Sequence, residues 1–233
     1  MSSPLGAGRK PQLVTWDEPA AKREPELSLK NVTRVYPAAG AQPEVHAIGP
    51  IDLAINRGEF FSIIGPSGCG KSTLLEIAAG LAAATIGEVR FRGKLVRGRV
   101  PDRVGIVFQT DTCFPWLTVY DNIAFGLRRL GAAKDMIAER VDRVIAFIGL
   151  EQFRNARPAQ LSGGMRQRVC IARTLVLEPE LILLDEPFGA LDQQTRLLMG
   201  DELLRLWRQT KATVFLITHA LDEIGRASCR ERV

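Results

Sequence analysis

The pattern of hydrophobic and polar residues predicts strands that alternate with helices along most of the chain. Residues 27–36 and 51–55 alternate between apolar and polar side chains, as half-buried strands do. Continuous apolar runs, which are typical of strands covered on both faces, occur at residues 60–64, 104–108 and 181–184. Shorter patterns predict a hairpin over residues 87–92 and 94–96 and a last strand over residues 213–217.

The helical patterns lie in two places. Apolar residues recur at helical spacing through Ile137, Val141, Val144, Ile145 and Ile148, which predicts a mostly helical insertion over residues 110–164. A second stripe, formed by Leu197, Leu204 and Trp207, precedes the last strand. Alternating strands and helices favour an α/β fold, in which helices cover both faces of a largely parallel sheet.

Composition and charge exclude several classes of protein. Hydrophobic residues make up 46% of the 233, as in an ordinary globular protein. Residues 1–25 are rich in Pro, Ala and charge, and we expect them to form a disordered tail. The net charge of +5 lies mostly at the two ends of the chain, so a nucleic-acid partner is not expected. No apolar run reaches the ~18 residues of a membrane helix, so a membrane role would need a separate membrane-spanning partner.

The four cysteines, at positions 69, 113, 170 and 229, show no pairing typical of metal ligands. No export signal is apparent at the N-terminus. We therefore expect free thiols in a reducing compartment.

The clearest motif follows the apolar run at 60–64. Residues 65–72 (GPSGCGKS) fit the phosphate-binding pattern G-x-x-x-x-G-K-[ST]. Its glycines allow backbone N–H groups to turn toward phosphate oxygens, Lys71 reaches the outer phosphates, and the Ser72 hydroxyl binds Mg²⁺. A strand before the loop and a helix after it are the context that this chemistry requires.

Two carboxylates end the apolar run at 181–184. Ligands of open α/β sheets bind at the carboxyl ends of strands. Asp185 would then take part in holding Mg²⁺, and Glu186 would orient or deprotonate an attacking water. Alone, such a pair is more often a solvated strand end, and only the phosphate loop favours the catalytic interpretation.

Three single residues have weaker signals. Gln109 follows the run at 104–108 and could reach Mg²⁺ or the attacking water, although a polar cap is the ordinary alternative. His219 ends the last strand and could contact the terminal phosphate, whereas a lone His is usually structural. Tyr36 could stack on an adenine ring, with core packing nearly as common.

A second anion site is predicted at residues 161–168 (LSGGMRQR). Ser162, Gly163 and Gly164 directly precede or begin an apolar helix, and a helix N-terminus with such residues binds anions. The terminal phosphate of a nucleotide is already held at 65–73. Because this second loop lies at the edge of the helical insertion, we expect it to face outward. In a two-fold dimer each chain's loop would cover the nucleotide bound to the other chain.

These motifs together resemble the ATP-binding cassette family, the ATPase subunits of ABC transporters, over residues 27–223. The resemblance implies a P-loop NTPase (RecA-like) core with an antiparallel β subdomain and a helical insertion, and ATP and Mg²⁺ as cofactors. It implies catalytic roles for Glu186, His219 and Gln109 and Mg²⁺ binding by Ser72, Gln109 and Asp185. The implied nucleotide-binding residues are Tyr36, Gly65, Pro66, Ser67, Gly68, Cys69, Gly70, Lys71, Ser72, Thr73, Asp185 and Asp192, with Ser162, Gly163 and Gly164 acting in trans.

The resemblance also implies partners and a location. Family members work as sandwich dimers on the cytoplasmic face of the inner membrane, bound to an integral membrane permease and served indirectly by a solute-binding protein. Residues 113–122 (CFPWLTVYDN) resemble importers of nitrate, sulfonates and taurine, at the place where such subunits meet the permease. The alternative for Phe114 and Trp116 is that they are ordinary core aromatics.

The expected domains are a core over residues 26–109 and 165–223 and a helical subdomain over 110–164. Family members continue beyond Glu223 with further strands, whereas residues 224–233 lose all periodicity, so we predict a non-native tail there. A naturally short, disordered tail is the alternative. Two other functions stay open: a non-transport cassette ATPase acting in DNA repair or on ribosomes, and a degenerate cassette that binds ATP without hydrolysing it. The presence of Glu186 and His219 argues against the second.

Overall fold

The computed structural model describes residues 12–16, 25–38, 43–189 and 191–219. Nine strands are formed there: β1 (Gln12–Trp16), β2 (Pro25–Tyr36), β3 (Val45–Asn56), β4 (Phe60–Ile64), β5 (Ile86–Phe91), β6 (Lys94–Leu95), β7 (Val104–Val107), β8 (Leu181–Asp185) and β9 (Thr213–Thr218). Five α-helices are formed in the same part of the chain: α1 (Lys71–Ala79), α2 (Val119–Arg129), α3 (Lys134–Phe147), α4 (Gly163–Leu175) and α5 (Gln193–Thr210). Two short 3-10 turns, Glu151–Phe153 and Pro158–Gln160, connect α3 to α4.

The strands form two sheets. The first has the order β1-β4-β9-β8-β7, in which β4, β9, β8 and β7 run parallel and β1 is antiparallel at the edge. The second is antiparallel, with the order β3-β2-β5-β6. The predicted α/β core, antiparallel β subdomain and helical insertion are therefore confirmed.

The parallel sheet is covered on both faces because successive side chains of a strand point to opposite sides. In β9, Val214 and Leu216 pack in a hydrophobic core with residues of α2, α3, α4 and α5. Phe215 and Ile217 pack in a second core with α1 and the antiparallel sheet. This arrangement explains why β4, β8 and β9 are almost continuously apolar.

Three details differ from the sequence predictions. Residues 1–25 were expected to be disordered, but Gln12–Trp16 pairs with β4, where strand-forming residues (QLVTW) meet an otherwise open edge. Leu197 is exposed, and Met199 and Leu203 of α5 occupy the core with Leu204 instead. Helix α4 also runs across the boundary predicted between residues 164 and 165. Residues 224–233 lie outside the described residues.

Candidate nucleotide-binding and catalytic site

The predicted phosphate-loop, carboxylate and catalytic residues converge at the carboxyl edge of the parallel sheet. The register places Ile64 opposite Thr218, and Asp185 opposite Ile217, so β4, β8 and β9 end side by side. The loop at 65–70 leaves β4, Glu186 follows β8, His219 follows β9, and Gln109 lies two residues beyond β7. Parallel pairing therefore gathers four loops that are far apart in the sequence.

The loop at 65–70 curls around the ammonium group of Lys71. Lys71 is the first residue of α1, and its side chain is buried. Its Nζ atom donates to the carbonyl oxygens of Gly65 at 2.9 Å and Pro66 at 2.8 Å. Such a loop, closed at a helix N-terminus with a buried cation at its centre, is suited to a phosphate group.

Gly70 is the residue that allows this loop to close. It caps α1 with φ +90°, a left-handed conformation that side chains rarely adopt. A Cβ atom at this position would lie only 2.3 Å from the carbonyl oxygen of Ala47. The second glycine of the motif is therefore required both by the backbone angle and by the neighbouring strand β3.

A hydroxyl and a carboxylate lie together next to this loop. The Ser72 hydroxyl donates to Oδ1 of Asp185 at 3.1 Å. Burial raises the pKa of Asp185 above its ordinary value, although the Ser72 hydrogen bond opposes that shift. Adjacent hydroxyl and carboxylate oxygens are the hard donors that Mg²⁺ prefers, so this pair fits the predicted metal ligands. Gln109, the third predicted ligand, instead contacts Glu186.

Glu186 is held from two sides. Its Oε2 atom accepts a hydrogen bond from Gln109 Nε2 at 3.0 Å and lies 3.3 Å from His219 Nδ1. Glu186 has φ +44°, which is uncommon for a residue other than glycine, and its N–H donates to the carbonyl oxygen of Ile217 at 2.9 Å. The three residues predicted to be catalytic therefore meet at one carboxylate oxygen.

The Ser162–Gly164 segment forms the N-terminus of α4 and does not share this cluster's contacts. The Ser162 hydroxyl caps the helix by accepting from the N–H of Met165 at 3.2 Å. Ser162 and Gly163 are exposed, as expected for a loop that faces outward. A buried side chain farther along α4, Gln167, donates to the carbonyl oxygen of Phe108 at 3.1 Å and so connects α4 to the residue directly before Gln109.

Two further predicted residues lie at separate points. Asp192 caps α5 by accepting from the Thr195 N–H at 3.0 Å, and the hydrogen bonds from Thr195 lower the pKa of Asp192. Tyr36 is 38% exposed, with the Arg34 guanidinium 4.6 Å from the centre of its ring. Tyr36 is therefore a surface residue and not a core residue, and an aromatic ligand can reach its ring.

An aromatic surface follows Gln109. The ring of Phe114 lies 5.6 Å from that of Trp116 and 4.7 Å from that of Phe125, and the Arg173 guanidinium lies 4.2 Å above Phe114. Trp116 is 68% exposed, so the alternative prediction that it is an ordinary core aromatic is wrong. We call Phe114, Trp116 and Phe125 the aromatic patch.

Asn122 holds the loop that carries Phe114 and Trp116, and sequence reasoning missed this role. Its side chain accepts from the Phe114 N–H at 2.8 Å and donates to the carbonyl oxygens of Phe114 at 3.1 Å, Leu117 at 3.2 Å and Thr118 at 2.9 Å. The side chain is almost fully buried. A single asparagine in an amphipathic helix gives no signal of this role, because the role depends on the path of the preceding loop.

A family model described as ABC transporter matches residues 48–189, which include the phosphate loop, the Ser162–Gly164 segment and Glu186. The chain belongs to the ABC transporter family. It is an ATPase of this family. The chain is 48% identical to an uncharacterized ABC transporter ATP-binding protein of Methanocaldococcus jannaschii, and the alignment covers 85% of this chain and 73% of that protein. In the part of the chain that the structure describes, no helix is both long and apolar enough to cross a membrane.

Other ABC proteins resemble the chain over similar lengths. The taurine import ATP-binding protein TauB of Pelagibacter ubique is 44% identical, with 85% of this chain and 74% of that protein covered. The bicarbonate transport ATP-binding protein CmpD of Synechocystis is 42% identical, with 84% and 70% covered. A solved dimeric ATP-binding cassette, in a post-hydrolysis state with ADP and Pi, is 35% identical with a TM-score of 0.77, covering 84% of this chain and 89% of that one.

The predicted family, fold and ATPase activity of this ABC protein are thus confirmed. The roles of individual residues stay predictions, although the structure places most of the expected catalytic and phosphate-loop side chains at one edge of the sheet. Ala190, two residues before the predicted nucleotide-binding residue Asp192, lies outside the described residues.

Proposed function

We propose that this ABC subunit hydrolyses ATP to drive uptake of a small solute, of the nitrate, sulfonate or taurine type, through a separate permease. The observation that carries the proposal is the position of Glu186. Its carboxylate is held by Gln109 and His219 at the sheet edge where Lys71, Ser72 and Asp185 also lie. A fixed carboxylate next to a phosphate loop is what hydrolysis of a terminal phosphate requires.

Each residue then has a distinct part in the reaction. Lys71 exchanges the carbonyl oxygens of Gly65 and Pro66 for the outer phosphates of ATP, which makes its ammonium the charge partner of the transferred group. Glu186 accepts the proton of the attacking water, while Gln109 and His219 keep its carboxylate oriented. When bound at Ser72 and Asp185, Mg²⁺ neutralises charge on the phosphates.

A head-to-tail homodimer would complete the site. Ser162 and Gly163 are exposed and contribute no contact to the Lys71 loop of their own chain in the described residues, and the related cassette with ADP and Pi is dimeric. In such a dimer the N-terminus of α4 from one chain covers the terminal phosphate bound to the other. Its positive end would stabilise the charge that develops there.

Dimerisation has a direct test. Glu186→Gln should accumulate as an ATP-bound dimer in gel filtration, because it binds ATP without turning it over. Adding Ser162→Arg should abolish that dimer, whereas Ala133→Arg, which places the same side chain on an exposed residue before α3, should leave it intact. A dimer that survives Ser162→Arg would contradict the trans arrangement.

The aromatic patch is the proposed permease contact. Exposed aromatic side chains beside Gln109 can receive a short apolar segment, and its docking would be sensed through the loop that joins Trp116 to Gln109. Trp116→Ala should reduce assembly with the permease while ATP binding by the isolated subunit is unchanged. The matched control is Trp207→Ala, since Trp207 packs edge-on against Phe60 at 5.6 Å and donates to Gly58 at 2.9 Å, so its loss should destabilise the subunit itself.

The solute class rests on the relatives named for taurine import and bicarbonate transport, both small solutes that contain an anionic group. These names also support transport over the DNA-repair and ribosomal alternatives. The subunit would work peripherally, on the cytoplasmic face of the membrane, with a solute-binding protein delivering the solute to the permease.

Purifying the native complex and measuring ATP-dependent uptake into vesicles would test the solute class, with taurine, nitrate and bicarbonate as competing substrates. Uptake of one of them that stops with Glu186→Gln is expected. A complex that hydrolyses ATP without moving any of the three would overturn the solute class and leave the ATPase assignment in place.

A further inference from the structure

Two cysteines from distant parts of the chain meet behind the aromatic patch. Cys113 lies in the loop between β7 and α2, and Cys170 lies on α4, 57 residues later. Their Sγ atoms are 3.6 Å apart, and Cys113 is half-buried whereas Cys170 is buried. A disulfide has an S–S distance of about 2.05 Å, so bond formation needs a movement on the order of 1.5 Å, which is small for a loop residue.

The surroundings make the two sulfurs chemically different. The Thr112 N–H donates to Cys170 Sγ at 3.2 Å, and the Cys113 thiol is positioned to donate either to Cys170 or to the carbonyl oxygen of Arg166 at 3.4 Å. The hydrogen bond with Cys113 and those from Thr112 lower the pKa of Cys170 to about 6, whereas the hydrogen bond with Cys170, together with burial, raises the pKa of Cys113. These hydrogen bonds and the nearby Arg173 guanidinium favour the thiolate form at Cys170 over that at Cys113.

We propose that Cys113 and Cys170 form a reversible disulfide when the protein meets a small hydroperoxide, and that this bond fixes the loop after Gln109 to α4. The Cys170 thiolate attacks a peroxide oxygen, so that an S–O bond forms, the O–O bond breaks and hydroxide leaves. Cys113 sulfur then attacks the Cys170 sulfenic acid, forming the S–S bond and releasing water that carries the Cys113 proton. In total two thiols lose two electrons, and one hydrogen peroxide becomes two waters.

A small oxidant is specified because Cys170 is only 5% exposed. Hydrogen peroxide can reach a site that excludes a peptide disulfide. Reduction would begin at the more accessible Cys113 sulfur by thiol exchange, which restores both thiols.

The Cys113–Cys170 disulfide would affect the catalytic site around Glu186 through the loop that follows Gln109. Gln109 holds Glu186 at one end of this loop, and the aromatic patch occupies the other. Helix α4, which begins at the Ser162–Gly164 segment, already binds the loop through Arg166 to Asp111 at 2.9 Å and through Arg173 to the Thr112 carbonyl. A covalent bond at Cys113 would prevent the loop and α4 from moving apart, so oxidation should lower ATP turnover and reductant should restore it.

Peptide mapping tests the bond itself, independently of ATP turnover. Full-length protein carrying Cys229→Ser would be treated with hydrogen peroxide, alkylated, digested without reductant and analysed by mass spectrometry. The expected product is one peptide pair joined through Cys113 and Cys170, about 2 Da lighter than the two free-thiol peptides and released by dithiothreitol. Cys69, half-buried in the phosphate loop, serves as the internal comparison and should stay unpaired.

Single variants separate the two roles. In Cys113→Ser the sulfenic acid at Cys170 has no thiol to resolve it, so dimedone should label Cys170 after peroxide treatment. In Cys170→Ala neither the bond nor dimedone labelling at Cys113 is expected. A Cys113–Cys170 bond in the peptide map, with trapping at Cys170 in Cys113→Ser, supports the proposal. Labelling at Cys113 instead, oxidation of Cys170 to sulfinic acid without a bond, or unreacted thiols at both positions would overturn it.

Discussion

Gln109 donates a hydrogen bond to Glu186 at 3.0 Å across 77 residues of sequence. Gln109 comes from the loop after β7, and Glu186 directly follows β8, the neighbouring strand in the sheet. His219 adds a second contact to the same carboxylate oxygen at 3.3 Å. A carboxylate that is oriented by two neighbours can act on water without first paying the entropy of finding its position.

The first prediction follows from this contact. Glu186→Gln should keep ATP affinity near that of the parent and reduce turnover by roughly 10²- to 10⁴-fold, because an amide cannot accept the proton of water. Phosphate release and nucleotide binding, measured side by side, check it. Gln109→Ala, which keeps the base and removes one of its two contacts, should have the smaller effect on turnover. Parental turnover in Glu186→Gln would show that another group is the base.

The second prediction concerns Gly70 and Gly68 of the phosphate loop. Gly70→Ala should lower the melting temperature and abolish ATP binding, because its Cβ would meet the Ala47 carbonyl oxygen at 2.3 Å. Gly68→Ala is the matched control, since Gly68 also has a positive φ, +79°, but a Cβ there would meet nothing within 4 Å. The melting temperatures of the two variants, compared without nucleotide, separate the steric clash with Ala47 from the backbone strain that both substitutions introduce. Equal destabilisation by the two substitutions would mean that the contact with Ala47 is unimportant.

The main elements of the fold and the members of the site could be predicted from the sequence because each depends on local signals. Apolar runs such as 60–64 and 181–184 identify buried strands, and turn or acidic residues directly after them identify the ligand edge. The contacts between those residues could not be predicted from local signals. Gln109 reaches Glu186 only because β7 and β8, the strands that precede them, are neighbours in the sheet. The proximity of Cys113 to Cys170 and the hydrogen bonds of Asn122 were missed for the same reason: both depend on how one loop lies on α2 and α4.

The third prediction concerns Asp185 and pH. Burial raises its pKa above the ordinary 3.8, so the folded protein binds this proton more tightly than the unfolded chain does. The contribution of Asp185 to the free energy of unfolding is therefore greatest when it is protonated at acidic pH, and it falls as pH rises from about 3.8 through the raised value. At neutral pH the buried charge opposes folding.

Asp185→Asn removes that charge and keeps an oxygen that can accept from Ser72. Its melting temperature, measured without ATP or metal, should exceed that of the parent at about pH 7.5, by about 2–4 °C for each kcal/mol gained, and the excess should shrink toward about pH 4.5. ATPase activity should be lost in the same protein. Asp201→Asn, at an exposed position of α5, should change neither quantity appreciably. A variant that is less stable than the parent at about pH 7.5 would refute the prediction.

The last prediction concerns Asn122, whose buried side chain makes four hydrogen bonds to the loop that carries Phe114. Asn122→Ala removes these bonds from the Phe114 N–H and from three carbonyl groups, which should lower the free energy of unfolding by about 2–4 kcal/mol. The melting temperature should fall by on the order of 10 °C. Chymotrypsin should also cut after Trp116 faster than in the parent, because the loop is released from α2. Asn155→Ala, at an exposed position, supplies the same substitution without the buried contacts. If the two variants have equal melting temperatures and are cut by chymotrypsin at equal rates, Asn122 does not hold this loop.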